Sequence, residues 1–169
     1  CKDLEYLDAF SDADWAGDVN DRKSTSGGAL KLGSTNLREF AKGQSCQALS
    51  SAESEYYAAV TTVAEALHMQ KLLSFVGFPV EIKLRLDSTA ARGIISRTGC
   101  GALKHIETRL LWLQSKHEKK EFKIFKEPTA TNTADGYTKP LQSAKFLEWR
   151  SRLGMGYDNG DELETSKRE

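Results

Sequence analysis

The sequence predicts one α/β domain in which a mixed five-stranded sheet is flanked by helices. The part of the chain before residue 42 holds three short strand-like segments separated by turn formers, which is typical of an antiparallel meander. The remainder alternates helical and period-2 apolar patterns, which is typical of parallel strands joined by helical crossovers. A length of 169 residues suffices for one domain with its own core.

The meander is predicted from three apolar segments, at positions 7–12, 29–32 and 37–41. A stretch rich in Gly, Asn and Asp at 15–21 predicts a loop after the first segment. Gly33 and Ser34 predict a turn between the second and the third. Short connections of this kind join antiparallel strands, because parallel strands need a longer crossover.

The clearest helix start lies at Ser50. The stretch from Ser50 to Glu53 matches a capping box, in which the Glu side chain reaches back to the start of the helix. Apolar residues then recur at helical spacing as far as about Phe75, and Gly77 and Pro79 predict the end of the helix.

The second half of the chain predicts two further strands and three further helices. They are a strand from Val80 to Asp87, a helix from Ser88 to Ser96, a helix from Ile106 to Lys119, a strand from Phe122 to Phe125 and a helix from Ser143 to Leu153. Residues 155–169 lack periodicity and end charged, so we expect a domain at 1–154 followed by a disordered tail. The three tryptophans, Trp15, Trp112 and Trp149, are expected in the core.

Composition excludes several classes of protein. The 24 Lys and Arg residues balance 24 Asp and Glu residues, which argues against a polycation that coats nucleic acid. The sequence contains no apolar run long enough for a membrane span. Three cysteines without C-x-x-C spacing and three histidines without a zinc pattern favour a reducing compartment and an oxygen-bound metal, if any. Since the chain opens on Cys1 rather than Met, we expect it to be a piece of a longer polypeptide.

Four carboxylates fall at the ends of predicted strands or near the starts of helical segments: Asp12, Glu55, Asp87 and Asp135. Strand ends and nearby helix starts converge on one edge of an open α/β sheet. Clustered carboxylates repel each other unless cations neutralise them, and Mg²⁺ takes oxygen ligands. Two such ions ~4 Å apart can promote phosphodiester hydrolysis. Surface charge or helix capping remains the ordinary alternative for any one of these residues.

Two polar stretches are candidate substrate contacts. Arg22, Lys23, Ser24 and Thr25 could bind phosphate or a ribose hydroxyl, although a polar turn explains them equally well. The stretch 97–126 is basic, and Lys116, Lys119 and Lys120 could bind a nucleic acid by charge or form an ordinary solvated surface. Lys104 and His105 stand at a predicted helix start, where His105 could contact substrate or serve as a cap.

Five ordered segments carry a family resemblance: 11–18, 22–27, 48–56, 104–109 and 133–141. They read SDADWAGD, RKSTSG, ALSSAESEY, KHIETR and TADGYTKPL. In this order and spacing they resemble the ribonuclease H domain of copia-type LTR retrotransposon Pol polyproteins, over roughly residues 7–154. The sequence departs from that pattern at Ser88, where Asn is frequent, and at Gly28, where an aromatic residue is usual and a glycine should loosen strand packing.

The resemblance implies a ribonuclease-H-like fold and cleavage of the RNA strand of RNA–DNA hybrids during reverse transcription. It implies a site for two Mg²⁺ ions, with Mn²⁺ as a substitute. In this site Asp12 is expected to bridge both ions, Glu55 and Asp87 to bind one, and Asp135 to bind the other. It also implies a reverse transcriptase domain N-terminal in the same polyprotein, no membrane, and an intracellular, cytoplasmic location in virus-like particles.

Two alternatives stay open. One is a catalytically idle, domesticated domain that binds nucleic acid or protein, against which the intact set of four carboxylates argues. The other is a related metal nuclease that acts on a different substrate.

Overall fold

A computed structural model of the chain describes residues 4–97 and 111–155. The elements follow the predicted order: β1 Tyr6–Asp14, β2 Thr25–Leu32, β3 Thr35–Gly43, α1 Ser51–Phe75, β4 Glu81–Leu86, α2 Thr89–Ser96, α3 Trp112–Glu118, β5 Lys123–Lys126 and α4 Ser143–Arg152. Two short 3₁₀ turns, Thr129–Thr131 and Thr133–Tyr137, connect β5 to α4. The first turns of the helix predicted from Ile106, and all but the first residue of the predicted tail, lie outside the described residues. No described helix has the length and apolar character needed to cross a membrane.

The sheet has the strand order β3-β2-β1-β4-β5, which confirms the predicted mixed sheet. β1 is its central strand and pairs antiparallel with β2 and parallel with β4. β5 pairs parallel with β4. Because β1, β4 and β5 run in the same direction, their carboxyl ends share one edge of the sheet, here called the carboxyl edge. Asp12 near the end of β1 and Asp87 just after β4 both lie there.

The long helix α1 is anchored firmly at its start. The hydroxyl of Ser50 accepts a hydrogen bond from the backbone N–H of Glu53 at 3.2 Å, as predicted. The Glu53 carboxylate accepts from the backbone N–H of Leu49 at 2.9 Å, one residue earlier than the capping-box pattern predicts. Every residue from 53 to 59 is buried, so the first turns of α1 lie inside the molecule rather than on its surface. This burial fixes the position of Glu55 relative to the sheet.

Two expectations about packing were wrong. The ring of Phe40, opposite Gly28 on β3, occupies the space that a Cβ of Gly28 would need, so strand packing at this glycine is filled rather than loosened. Trp15 is 54% exposed, and its indole N–H donates to the Ala48 carbonyl at 3.1 Å. A ring anchored by its polar edge in this way lies across a loop instead of entering the core.

The second 3₁₀ turn, Thr133–Tyr137, approaches the sheet closely at Gly27. A Cβ on Gly27 would lie 2.8 Å from the carbonyl oxygen of Ala134. The side chain of Asn132 holds the turn from the other side, since it donates to the Ser11 carbonyl at 3.0 Å and accepts from the Ala134 N–H at 3.2 Å. Gly27 is the cross-strand partner of Asp12, so this contact brings the turn, and Asp135 within it, beside the end of β1.

The close approach at Gly27 predicts that Gly27→Ala is destabilising. A methyl group there must push the backbone of the turn outward, which we expect to lower the free energy of unfolding by about 1–3 kcal/mol. Gly93→Ala is the matched control, because nothing lies within 4 Å of its Cβ position and Ala is the better helix former. Urea unfolding of both variants measures the difference, and equal stability of Gly27→Ala and the parent would contradict the contact.

Candidate metal centre

Three of the four predicted carboxylates meet at the carboxyl edge. Asp12 comes from β1, Glu55 from the buried first turns of α1, and Asp87 from the residue after β4. Each offers one oxygen atom, and the three oxygens all lie within 4.8 Å of one another. Asp12 is only 2% exposed and Glu55 only 8%. We call Asp12, Glu55 and Asp87 the carboxylate cluster.

Burial makes the cluster a poor place for negative charge. Loss of hydration raises the pKa of Asp12 to about 6, although the hydroxyl of Thr138 and the charge of Lys139 oppose the shift. Loss of hydration, followed by the charges of Asp12 and Asp87, raises the pKa of Glu55 to about 8. Binding of a proton, or of a metal ion instead of the proton, therefore lowers the electrostatic free energy of each buried carboxylate.

The cluster fits a hard divalent cation. Its donor set consists of carboxylate oxygens, which Mg²⁺ and Mn²⁺ accept as ligands. The Oε2 atom of Glu55 is buried and has no hydrogen-bond partner, which is costly for a carboxylate unless a cation binds it. Asp12, Glu55 and Asp87 are the residues that would hold the ion.

Asp135 lies beside the cluster but is not a member of it. It sits in the second 3₁₀ turn, and its charge contributes to the raised pKa of Asp12. Its Oδ1 atom forms an ion pair with Lys139 Nζ at 2.5 Å. The role of Asp135 as ligand of a second ion therefore stays a prediction.

Three further side chains, which were not predicted from the sequence, hold the carboxylates of the site in place. Thr138 donates its hydroxyl to Asp12 Oδ2, and Thr129 donates its hydroxyl to Asp87 Oδ2 at 2.8 Å. Lys139 pairs with Asp135 as described. A signal existed for two of them, because Thr138 and Lys139 belong to the 133–141 motif, from which only Asp135 was singled out.

The four candidate substrate contacts in the turn before β2 lie in different surroundings. Ser24 is 1% exposed and its hydroxyl accepts from the Ala16 N–H at 3.0 Å, so it supports the loop after β1. A substrate contact by Ser24 stays a prediction. Lys23 pairs with Asp21 at 2.6 Å. Arg22 is exposed, and Thr25 is half-buried. Substrate contacts by Arg22, Lys23 and Thr25 stay predictions.

The structure does not bring Lys116, Lys119 or Lys120 to the cluster. Lys116 forms an ion pair with Glu121 at 2.9 Å. Lys119 and Lys120 are exposed in the turn that leads into β5, at the opposite edge of the sheet from Asp87. The length of β4, roughly 16–20 Å, separates the two edges. Lys104 and His105 lie outside the described residues, and substrate binding by this stretch stays a prediction.

The raised pKa values predict that the metal-free protein loses stability as the pH rises. Between about pH 4.5 and 8 the folded chain keeps a proton on Glu55 that the unfolded chain has released, so the free energy of unfolding falls across this window. The raised pKa of Asp12 adds the same sign at the acid end. We expect a loss on the order of a few kcal/mol, measured by urea unfolding in EDTA. Glu55→Gln should flatten this pH dependence of the free energy of unfolding. The control, Glu39→Gln, should leave it unchanged, because Glu39 is exposed. A parent protein that is equally stable across the window would contradict the raised pKa values.

Comparison with known proteins gives no matching family model. The chain is 32% identical over 151 residues, 88% of its length, to the retrovirus-related Pol polyprotein from transposon TNT 1-94 of Nicotiana tabacum. It is 29% identical over 155 residues to the corresponding polyprotein from transposon RE1 of Arabidopsis thaliana. The chain spans 11% and 10% of the lengths of these relatives, about a tenth of each.

Among solved structures, the chain is similar to LC11-RNase H1 isolated from compost, with a TM-score of 0.56, 17% identity, and coverage of 80% of this chain and 94% of that one. A second structure of that enzyme, in complex with an RNA/DNA hybrid, gives a TM-score of 0.52 at 17% identity, with 78% of this chain and 93% of that chain covered. The chain is therefore a homologue of the retrovirus-related Pol polyproteins of plant copia-type transposons, in a segment that has the ribonuclease H fold.

Proposed function

We propose that this chain hydrolyses the RNA strand of RNA–DNA hybrids at the carboxylate cluster, with Mg²⁺ as its metal and Mn²⁺ as a substitute. The observation that carries the proposal is the cluster itself: three carboxylates, two of them almost fully buried, with oxygens within 4.8 Å of one another. The ribonuclease H fold and the Pol polyprotein homologues support nucleic-acid hydrolysis. The structural relative solved with an RNA/DNA hybrid supports the choice of substrate.

The side chains around the cluster hold its ligands in place. Thr138 fixes one oxygen of Asp12 and Thr129 fixes one oxygen of Asp87, which leaves the other oxygen of each carboxylate for the ion. Glu55 contributes an oxygen that has no protein partner. A bound ion supplies Lewis acidity and lowers the pKa of a coordinated water. In the two-ion form of the proposal, Asp12 would help to hold both ions and Asp135 would help to hold the second.

Burial of the cluster is what opposes the idle-domain alternative. A domain that only binds nucleic acid gains nothing from the buried, unpartnered oxygen of Glu55, because an amide or an apolar side chain there would remove the cost. A bound ion would coordinate this oxygen, so that a favourable metal–oxygen interaction replaces the cost of the unpartnered charge.

The wider setting is also proposed from the relatives. The chain spans about a tenth of the Pol polyproteins, and we propose that a reverse transcriptase domain lies N-terminal to it in the same polyprotein. Hydrolysis of the RNA strand would then act during reverse transcription, in virus-like particles in the cytoplasm.

The proposal predicts that Asp12→Asn abolishes hybrid cleavage and preserves the fold. Asn keeps the shape and still accepts the hydrogen bond of Thr138, but it removes the charge that holds the ion. We expect a loss of hybrid cleavage on the order of 10³-fold or more. The measurement is cleavage of an end-labelled RNA strand in a hybrid, with Mg²⁺, with Mn²⁺ and with EDTA.

Asp18→Asn is the matched control, because Asp18 is exposed in the loop after β1 and an Asn can still accept from the Asn20 N–H. It should cleave as the parent does. A folded parent that cleaves nothing with either metal would favour the idle domain, and cleavage by Asp12→Asn within tenfold of the parent would remove Asp12 from the site.

A further inference from the structure

A lysine lies among the carboxylates. Lys139 Nζ contacts Asp135 Oδ1 at 2.5 Å, with the lysine 48% exposed at its side chain. Although burial lowers it, the hydrogen bond to Asp135 and the charges of Asp12 and Asp87 raise the pKa of Lys139 above its ordinary value. The ammonium is therefore charged near neutral pH, and its charge acts on Asp12 and Asp87 as well as on Asp135.

The backbone holds this lysine where it is. Its neighbour Thr138 is buried, tied to Asp12 by its side-chain hydroxyl, and in close contact with Gly27 through its methyl group. The backbone N–H of Thr138 donates to the Asp135 carbonyl at 3.3 Å, which closes the turn between the two residues. Lys139 thus leaves a rigid point of the chain, four residues after Asp135, and only its flexible stem can carry the ammonium away.

We propose that Lys139 is a built-in counter-ion that holds Asp135 apart from the carboxylate cluster, so that a second divalent ion binds more weakly than the first. The proposal rests on the proposed function. The ammonium reduces the negative charge that Asp135 offers to an ion, and the two cations repel each other across the site. A second ion that uses Asp135 Oδ1 must displace Lys139, and one that uses the other oxygen must bind a carboxylate that Lys139 already neutralises. The first ion, held by Asp12, Glu55 and Asp87, needs no such displacement.

The expected effect of removing the ammonium is moderate. A half-exposed ion pair is weak and the repulsion between the ammonium and a nearby dication is screened by water, so we expect neutralisation to tighten the second site on the order of 3- to 30-fold. The first site should tighten by less than about threefold, because Lys139 is paired with Asp135 and not with a member of the cluster.

The test is calorimetric titration with Mn²⁺, then Mg²⁺, of the parent, Lys139→Gln and Lys139→Arg. We expect one tight and one weak ion in the parent, a second site tightened 3- to 30-fold in Lys139→Gln, and parental values in Lys139→Arg. Lys123→Gln is the matched control, because it breaks an ion pair of the same 2.5 Å length, with Glu81, at the far edge of the sheet. It should bind both ions as the parent does.

Several results would overturn the proposal: an unchanged or weakened second site in Lys139→Gln, a single ion in both parent and variant, or the same change in Lys123→Gln. Hybrid cleavage separates this failure from that of the proposed function. Cleavage by the parent together with unchanged metal binding in Lys139→Gln rejects the counter-ion alone. Tightened metal binding without any cleavage by the parent rejects the proposed function and leaves the counter-ion standing.

Discussion

The burial of neighbouring carboxylates, strengthened by their mutual repulsion, is the constraint on which the chemistry of this fold depends. Asp12 and Glu55 lie where water is nearly excluded, and burial raises the pKa of both. Without a cation, the folded protein lowers that cost by keeping a proton, chiefly on Glu55. The site is thus held in an unfavourable state by the surrounding structure, and a divalent ion relieves it. The electrostatic cost of ionising the buried carboxylates, rather than backbone strain, is what favours binding of a metal ion at the cluster.

The fold can hold the cluster because each ligand sits on a well-supported element. Asp12 lies on the central strand, which is paired on both sides. Glu55 lies in the buried start of α1, whose first turn is capped by Ser50. The connection after β5 is the least regular part, and side-chain hydrogen bonds from Asn132 and Thr138 fix it to β1. Rigid supports on three sides keep the carboxylates together in spite of their repulsion.

Sequence patterns predicted most of the fold because its elements are locally encoded. The capping motif at Ser50 and the alternation before Asp87 place Glu55 and Asp87 without any knowledge of the tertiary structure. The partners of the carboxylates were not predictable in this way, since Thr138 meets Asp12 across 126 positions of the chain. Spacing alone also cannot tell a surface hydroxyl from a structural one, so the burial of Ser24 and its hydrogen bond with the Ala16 N–H could not be predicted. Asp135 stays a predicted ligand of a second ion, and its ion pair with Lys139 was not predicted although both residues lie in the 133–141 motif.

The number of protons released when a metal ion binds is the most direct test of whether buried, protonated carboxylates form the metal site. Calorimetric binding of Mn²⁺ near pH 7, repeated in buffers of different ionisation enthalpy, counts the protons released per ion bound. Because the pKa of Glu55 is about 8 and that of Asp12 about 6, the account predicts release of about one proton when the first ion binds. Glu55→Gln should release almost none. Tight metal binding by the parent without proton release would contradict the claim that buried, protonated carboxylates form the metal site.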